Sequence, residues 1–211
     1  MEMNNFFKKL ESEHFLPLYT VTSMEYLAKA ENILKNNNLS FIEITYRSEL
    51  ASKAIKQLSE SDKLIVGAGT VRSLDTAKEA VENGAKFIVT PGFSDEIVTY
   101  CIEKNIPILP GTVTPSEIMR AQSYGLKVMK FFPANVYGGL DAIKSLSGPF
   151  SDIKFVPTGG VNKSNYQEFI ENPNILAIGG SFILSERAII KDEGFSAEQS
   201  LAELVAPYAD C

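Results

Sequence analysis

The chain repeats one pattern eight times: a short apolar run rich in β-branched residues, a turn, and then a helical stretch. Successive runs begin 20 to 26 residues apart, which is enough for one strand, one helix and two short loops. The repeat therefore predicts eight strand–helix units in series. The runs are FLPLYTV from Phe15, FIEITY from Phe41, KLIVGAGT from Lys63, KFIVTPG from Lys86, IPILPG from Ile106, KVMKFFP from Lys127, IKFVPTGG from Ile153 and ILAIGG from Ile175.

Strands that alternate with helices favour a parallel sheet with right-handed crossovers. The runs are apolar on both faces, as parallel strands are when helices cover one side and a barrel core fills the other. Eight units without a break in composition favour a closed barrel over an open sheet with edges to protect. We therefore expect one (β/α)8 TIM-barrel domain over residues 1–211. A helical extension is expected over residues 1–13, where apolar residues recur at helical spacing: Met3, Phe6, Phe7 and Leu10.

Composition and charge exclude several classes of protein. The net charge of −6 does not favour binding to nucleic-acid phosphates. The longest stretch without a charged residue, 172–185, has 14 residues, against the ~20 that a membrane-spanning helix needs. A single histidine, His14, excludes most zinc or iron sites that depend on several imidazoles. Cys101 and Cys211 form no disulfide framework, so a reducing cytoplasm is the expected setting.

In a barrel the site lies where the strands end at their carboxyl termini, and polar residues gather at the ends of these runs. Lys130 lies in Val-Met-Lys-Phe-Phe, among bulky apolar neighbours. One interpretation is a lysine whose stem is buried while its amine reaches solvent at the barrel rim. The other is a desolvated amine, neutral often enough to attack a carbonyl and form a Schiff base. The spacing alone leaves both open.

The second run places three polar residues on one face, since side chains alternate along a strand: Glu43, Thr45 and Arg47. A carboxylate that points into a barrel must be paired or functional. Either Glu43 and Arg47 form a structural ion pair, or Glu43 is a proton shuttle beside Lys130 and Arg47 binds a substrate carboxylate. These alternatives also remain open.

Glycine pairs close the last two runs, in Thr158-Gly159-Gly160 and Gly179-Gly180-Ser181. Glycine lets the backbone approach a ligand closely, and a short helix that began at Ser181 would direct N–H groups at an anion. Phosphate sites of barrels are often built from the loops after strands seven and eight. The pairs therefore predict a phosphate site. Gly67-Ala68-Gly69 does not complete a dinucleotide-binding fingerprint.

At these residues the chain resembles the bacterial 2-keto-3-deoxy-6-phosphogluconate aldolases, a family that includes 4-hydroxy-2-oxoglutarate aldolases. The resemblance runs from about Leu16 to Leu184 and rests on IEITYRS, VGAGTV, TPG, LPGTVTPSE, KFFPA, GPF, PTGGV and IGGS, in that order. It implies a metal-free class I aldolase, usually a homotrimer, that cleaves a phosphorylated keto acid to pyruvate and glyceraldehyde 3-phosphate.

The resemblance also implies roles for individual residues. Lys130 would be the Schiff-base nucleophile, and Glu43 would be the general acid/base. Arg47 and Thr70 would hold the carboxylate of the pyruvate end, and Pro91 and Phe132 would shape the pocket wall. Thr158 would meet substrate hydroxyl groups. The phosphate would lie against Gly159, Gly160, Gly180 and Ser181.

Several other functions compete with this one. 4-Hydroxy-2-oxoglutarate cleavage could dominate, because PANVYGG and GTVT depart from the family pattern near the substrate-entry loops. A catalytically silent sensor barrel would keep only the phosphate site. Metal-dependent epimerases need imidazole ligands that one histidine does not supply. Transferases that resemble thiamin-phosphate synthase would leave Lys130 without a role.

Overall fold

A computed structural model describes residues 3–208; Cys211 lies outside the described residues. The helices are α1 (Met3–Glu13), α2 (Leu27–Asn36), α3 (Ala51–Ser61), α4 (Leu74–Glu82), α5 (Asp95–Glu103), α6 (Pro115–Ser123), α7 (Gly139–Ser147), α8 (Tyr166–Ile170), α9 (Glu186–Lys191) and α10 (Phe195–Val205). The strands are β1 (Phe15–Tyr19), β2 (Phe41–Thr45), β3 (Ile65–Gly69), β4 (Phe87–Val89), β5 (Ile108–Leu109), β6 (Gly111–Thr112), β7 (Val128–Phe131), β8 (Lys154–Pro157) and β9 (Ile178–Gly180).

The strands form an α/β fold around a curled parallel sheet. Six strands pair in the order β5-β4-β3-β2-β1-β9, and a second sheet has the order β6-β7-β8. All of these pairs are parallel, as the alternation of strands and helices predicts. Every one of the eight apolar runs contains a strand. None of the helices in the described part of the chain is long and apolar enough to cross a membrane.

The strand pairing differs from the predicted uninterrupted eight-stranded barrel at the fifth run, which forms two short strands. Pro110 separates β5 from β6, and proline has no N–H to donate to a sheet. Backbone contacts nevertheless continue past the interruption, since Lys130 N donates to Pro110 O over 3.0 Å. Near β9, isolated parallel bridges join Phe155 to Ile175 and Thr158 to Gly179.

Apolar side chains fill both faces of the strands. One cluster packs between strands and helices, and a smaller one lies on the opposite face of the strands. The predicted N-terminal helix is confirmed as α1, whose Phe6 and Leu10 are 1% and 0% exposed. Phe6 packs its ring against Phe41 and Phe87, with centroids 5.3 and 5.2 Å apart, so α1 covers the amino ends of the strands. The opposite ends of the strands remain open for a site.

Candidate active site

Lys130 on β7 and Glu43 on β2 face each other in the interior. Lys130 Nζ lies 3.8 Å from Glu43 Oε1, and the two side chains are 4% and 1% exposed. The amine also lies 4.9 Å from the centroid of the Phe132 ring. This burial excludes the interpretation in which the Lys130 amine reaches bulk solvent at the barrel rim, and it leaves Schiff-base formation as the prediction for Lys130.

Burial dominates the electrostatics of this pair. It lowers the pKa of Lys130, and the Arg47 charge acts in the same direction, whereas the Glu43 charge opposes them. Burial likewise raises the pKa of Glu43, against the opposing charges of Lys130 and Arg47. Both groups are thereby shifted towards their neutral forms, because the interior solvates ions poorly. A neutral amine is a nucleophile, and a buried carboxyl group with a raised pKa is suited to donate and accept protons in general acid–base catalysis.

Neither oxygen of Glu43 has a hydrogen-bond partner in the structure. The ion pair of Glu43 is with Lys130, and residues 3–208 contain none between Glu43 and Arg47. Buried carboxylates are normally hydrogen-bonded, so an unpartnered one points to a group that substrate or water completes. The structural ion pair of Glu43 with Arg47 is therefore not formed, and the carboxylate remains available for chemistry.

Arg47 follows β2 and lies between two concave regions. The first is an open region of about 460 Å³, lined by Arg47 and Thr70 together with Tyr46, Ser48, Glu49 and Arg72. The second is a cavity of about 200 Å³, which Arg47 shares with the last two strands. Because the Arg47 guanidinium has no ion pair among the described residues, it is free to bind an anionic group from either region.

The cavity of about 200 Å³ is lined by most of the predicted substrate-binding residues, together with Leu18, Val161 and Phe182. The predicted residues in its lining are Arg47, Phe132, Thr158, Gly159, Gly160, Gly180 and Ser181. Thr70 does not line it. Pro91 does not line it either, but packs against Gly111, the residue paired with Lys130: a methyl group on Gly111 would lie 2.4 Å from the Pro91 carbonyl carbon. The structure thus brings Arg47, Phe132, Thr158, Ser181 and the glycines together in one cavity, whose lining does not include Thr70 and Pro91.

Neighbouring groups hold the Gly159-Gly160 loop in position. Gly159 and Gly160 have φ angles of +85° and +91°, in the left-handed region that favours glycine. Ala134 N and Asn135 N donate to the carbonyl oxygens of Thr158 and Gly159, over 2.9 and 3.0 Å.

The side-chain amides of Asn162 and Asn165 complete this arrangement. They donate to the Gly160 carbonyl oxygen over 3.1 and 3.0 Å. The Gly160 carbonyl is therefore held by two side chains of the segment that follows the loop.

Two details of this region were not predicted correctly. The helix expected from Ser181 is absent, because residues 181–184 form a turn and α9 begins only at Glu186, capped by Ser185. Any anion site here therefore depends on loop N–H groups and not on a helix start. Asn165 was also missed as a support of the loop, although the spacing Asn-x-x-Asn directly after Pro-Thr-Gly-Gly-Val was a signal that could have identified it.

A separate cavity of about 360 Å³ lies at the opposite end of the strands. It is lined by Phe6, Asp62, Leu64, Ile65, Ala85, Lys86, Asn105, Ile106 and Pro107. It contains no buried amine beside a buried carboxylate, so the chemistry favours the carboxyl ends of the strands. Within residues 3–208, no group of three or more His, Cys, Asp or Glu side chains is placed to hold a metal ion.

Comparison with known proteins places this chain in a family. The profile of the KDPG and KHG aldolases matches residues 7–199. The chain is similar to the 2-dehydro-3-deoxy-phosphogluconate aldolase of Treponema pallidum (strain Nichols), with 34% identity over 202 residues that cover 95% of this chain and 96% of that protein.

Solved structures show the same similarity. One is KDPG aldolase from Legionella pneumophila with pyruvate captured at low pH as a covalent carbinolamine intermediate; its TM-score is 0.89 at 30% identity, covering 93% of this chain and 96% of that one. Another is the 2-keto-3-deoxy-6-phosphogluconate aldolase of Zymomonas mobilis ZM4 with 3-phosphoglycerate. Its TM-score is 0.87 at 28% identity, and the match covers 99% of this chain and 96% of that one.

Proposed function

Because the chain belongs to the KDPG and KHG aldolase family, we propose that it is a class I aldolase that cleaves 2-keto-3-deoxy-6-phosphogluconate to pyruvate and glyceraldehyde 3-phosphate. It is a carbon–carbon lyase. The observation that carries this proposal is the buried Lys130 amine, 3.8 Å from a buried Glu43 carboxylate that has no hydrogen-bond partner. The Legionella pneumophila relative with its covalent carbinolamine supports the same chemistry here.

Lys130 starts the reaction as the nucleophile. Its neutral amine adds to the C2 ketone of the substrate, and loss of water leaves an iminium that accepts electrons from the C3–C4 bond. Glu43, through a water molecule, removes the C4 hydroxyl proton as that bond breaks, and the aldehyde leaves. Protonation of the resulting enamine at C3 and hydrolysis of the imine release pyruvate and restore Lys130.

The surrounding residues bind the two ends of the substrate. Arg47 and Thr70 hold the carboxylate of the pyruvate end, and this role is supported by the unpaired guanidinium and by the concave region that the two residues share. Pro91 and Phe132 form the wall beside Lys130, where the Phe132 ring is in contact distance of the amine.

Thr158 meets the substrate hydroxyl groups, and the phosphate is bound by Gly159, Gly160, Gly180 and Ser181. The four residues share the lining of the cavity of about 200 Å³, and the left-handed φ angles of Gly159 and Gly160 let the backbone come close to a ligand there; both observations support this phosphate site.

The same proposal covers the architecture and the setting. The two sheets form one closed (β/α)8 barrel in a single domain over residues 1–211, with residues 1–13 as a helical extension; the contacts across Pro110 and the bridge from Thr158 to Gly179 support closure. The resemblance to the family implies a homotrimer. The protein needs no metal or cofactor, binds a small phosphorylated keto acid and not nucleic acid or membrane, and acts in the cytoplasm.

Trapping of the covalent intermediate tests the activity. Incubation with pyruvate and borohydride reduces the imine to a stable amine, which mass spectrometry locates on a peptide. We expect a single adduct on Lys130 and none in Lys130→Ala. An unmodified wild-type protein would refute the aldolase and favour the silent sensor.

Comparison of two substrates tests the preference. The phosphorylated six-carbon acid and the unphosphorylated five-carbon 4-hydroxy-2-oxoglutarate are compared for KM in the wild type and in Gly160→Ala. If the glycine loop binds phosphate, the substitution raises KM for the first substrate and leaves KM for the second nearly unchanged. If the substitution changed KM equally for both substrates, the glycine loop would not bind the phosphate. A higher wild-type kcat/KM for the five-carbon acid would assign the enzyme to that substrate.

A further inference from the structure

The Glu43 carboxyl group has space on the side of β3 because residue 69 is a glycine and has no side chain. Gly69 lies on β3, beside the strand that carries Glu43, and its register partner is Thr45. A methyl group on Gly69 would lie 1.9 Å from Glu43 Oε1 and 2.5 Å from both Cδ and Cγ. These distances are far shorter than van der Waals contact, so any larger residue would force the carboxyl group to move.

Packing, rather than hydrogen bonding, fixes the carboxyl group. Neither Glu43 oxygen has a hydrogen-bond partner, and its ion-pair partner Lys130 Nζ lies 3.8 Å away. A carboxylate held by several donors would resist a small steric push, but this one has no such donors to retain it. The position of the carboxyl group therefore depends on the space that its neighbours leave. That space lies above Gly69.

The backbone at residue 69 would itself accept a side chain. Its φ lies outside the left-handed region, unlike those of Gly159 and Gly160, so alanine is compatible with the local conformation. The atoms that a methyl group would displace belong to the flexible end of a side chain, so the fold can absorb the change. A side chain at residue 69 would thus displace the Glu43 carboxyl group.

We propose that Gly69 is a positioning residue of the active site, which acts by placing the Glu43 carboxyl group beside Lys130. This inference rests on the proposed function, because it assumes that Glu43 moves protons. A misplacement of about 1 Å can cost roughly 100-fold in rate, and general acid–base catalysis contributes about 10²–10⁴-fold. We therefore expect Gly69→Ala to slow proton transfer about 100-fold while Lys130 still forms its adduct.

Gly67 supplies a matched control on the same strand and the same face. A methyl group there would lie 2.2 Å from the Phe87 ring, which Phe6 and Phe41 confine. Gly67→Ala should therefore lower the melting temperature and leave proton transfer per folded molecule within about threefold of wild type. The same substitution two residues apart is thus expected to damage stability at residue 67 and chemistry at residue 69.

The experiment measures two steps separately in wild type, Gly69→Ala, Gly67→Ala, Glu43→Ala and the double variant Gly69→Ala/Glu43→Ala. Borohydride trapping of pyruvate reports the imine, and NMR of deuterium entering the pyruvate methyl group from D2O reports proton transfer. Alanine at position 43 removes Cγ, Cδ and Oε1, the three atoms that the methyl group on residue 69 would meet. Gly69→Ala should consequently cost about 100-fold in exchange with Glu43 present, and less than about threefold of the residual exchange when it is added to Glu43→Ala.

The outcomes separate this inference from the function on which it rests. Wild-type protein that neither traps pyruvate nor exchanges its protons would refute the aldolase. Wild-type exchange with Gly69→Ala within threefold of it would overturn the positioning role. An equal 100-fold loss when Gly69→Ala is added to wild type and to Glu43→Ala would overturn it too, because the effect would not pass through the carboxyl group. If Gly69→Ala folds only in combination with Glu43→Ala, the methyl group and the Glu43 side chain compete for one space, as the inference requires; if neither variant folds, residue 69 is structural and the positioning role is overturned.

Discussion

The buried Glu43–Lys130 pair should make the protein less stable than a neutral replacement would. The perturbation is the double variant Glu43→Gln/Lys130→Met, which keeps the shape of both side chains and removes both titratable groups. The wild-type pair is almost fully buried, with the Lys130 and Glu43 side chains 4% and 1% exposed, yet its closest N–O distance of 3.8 Å exceeds that of a hydrogen bond. Desolvation is therefore poorly repaid by attraction.

The expected gain follows from that imbalance. Replacing a poorly compensated buried pair by neutral groups of similar volume is neutral or stabilising by about 1–4 kcal/mol. The double variant loses the contact of the Lys130 amine with the Phe132 ring, which for a buried amine is worth about 2 kcal/mol. We expect a net gain of about 1 kcal/mol in the free energy of unfolding, which for a chain of this size raises the melting temperature by roughly 2–4 °C.

The pH dependence of this gain has a defined sign. Burial raises the pKa of Glu43 above its ordinary 4.5, so wild-type stability falls as the pH rises from 4.5. Burial lowers the pKa of Lys130 below its ordinary 10.5, so wild-type stability also falls as the pH drops from 10.5. The advantage of the double variant is therefore largest between these values and smaller near pH 4.5 and pH 10.5.

Urea unfolding at several pH values measures the difference by linear extrapolation. Glu186→Gln is the control, because Glu186 is also buried but accepts from Thr22 N and Ser23 N over 2.8 and 3.1 Å. This control should lose about 1–3 kcal/mol. A double variant that unfolds at the same or lower urea concentration than wild type would refute the reasoning, as would a gain that does not change with pH.

Three further predictions test other parts of the molecule. Phe6→Ala removes the ring that packs α1 against Phe41 and Phe87, so urea unfolding should show a free energy of unfolding lower by about 3–5 kcal/mol, with KM unchanged. A loss below about 1 kcal/mol would contradict this prediction. Asn165→Ala, which removes the support of the Gly160 carbonyl, should raise KM for the phosphorylated substrate about tenfold while pyruvate trapping persists; an equal rise for both substrates argues against loop support. Burial raises the pKa of the Cys101 thiol to about 12, so iodoacetamide at pH 8 should modify it only after unfolding, and alkylation of the native protein, located by mass spectrometry, would show the prediction to be wrong.

The eight apolar runs predicted the elements well, because strand and helix periods are local properties of the chain. Each run formed a strand, and the N-terminal amphipathic segment formed α1. The split of the fifth run at Pro110 was not predicted, although the proline is visible in the sequence. Whether a proline interrupts strand pairing depends on which adjacent strand its missing N–H would have faced. That strand is distant along the chain, so the local sequence does not reveal it.

The site was predicted unevenly for the same reason. Lys130 stood out because a lysine is almost never fully buried without a partner, and Glu43 because a carboxylate that points into a barrel must be paired or functional. The identity of that partner stayed open between Lys130 and Arg47 until the structure placed the amine 3.8 Å away. The predicted helix at Ser181 was wrong, since the tendency of a serine to cap a helix does not determine where the helix begins.

By itself, the sequence determined the order of strands and helices, the residue types at the strand ends and the family to which the chain belongs. Only the tertiary structure decided that the Glu43 carboxyl group lies over Gly69 without a hydrogen bond, that it pairs with Lys130, and that Asn162 and Asn165 support the Gly160 carbonyl. The reason is physical: local propensities depend on neighbours in the chain, whereas desolvation and steric contact depend on atoms that folding brings together from distant segments.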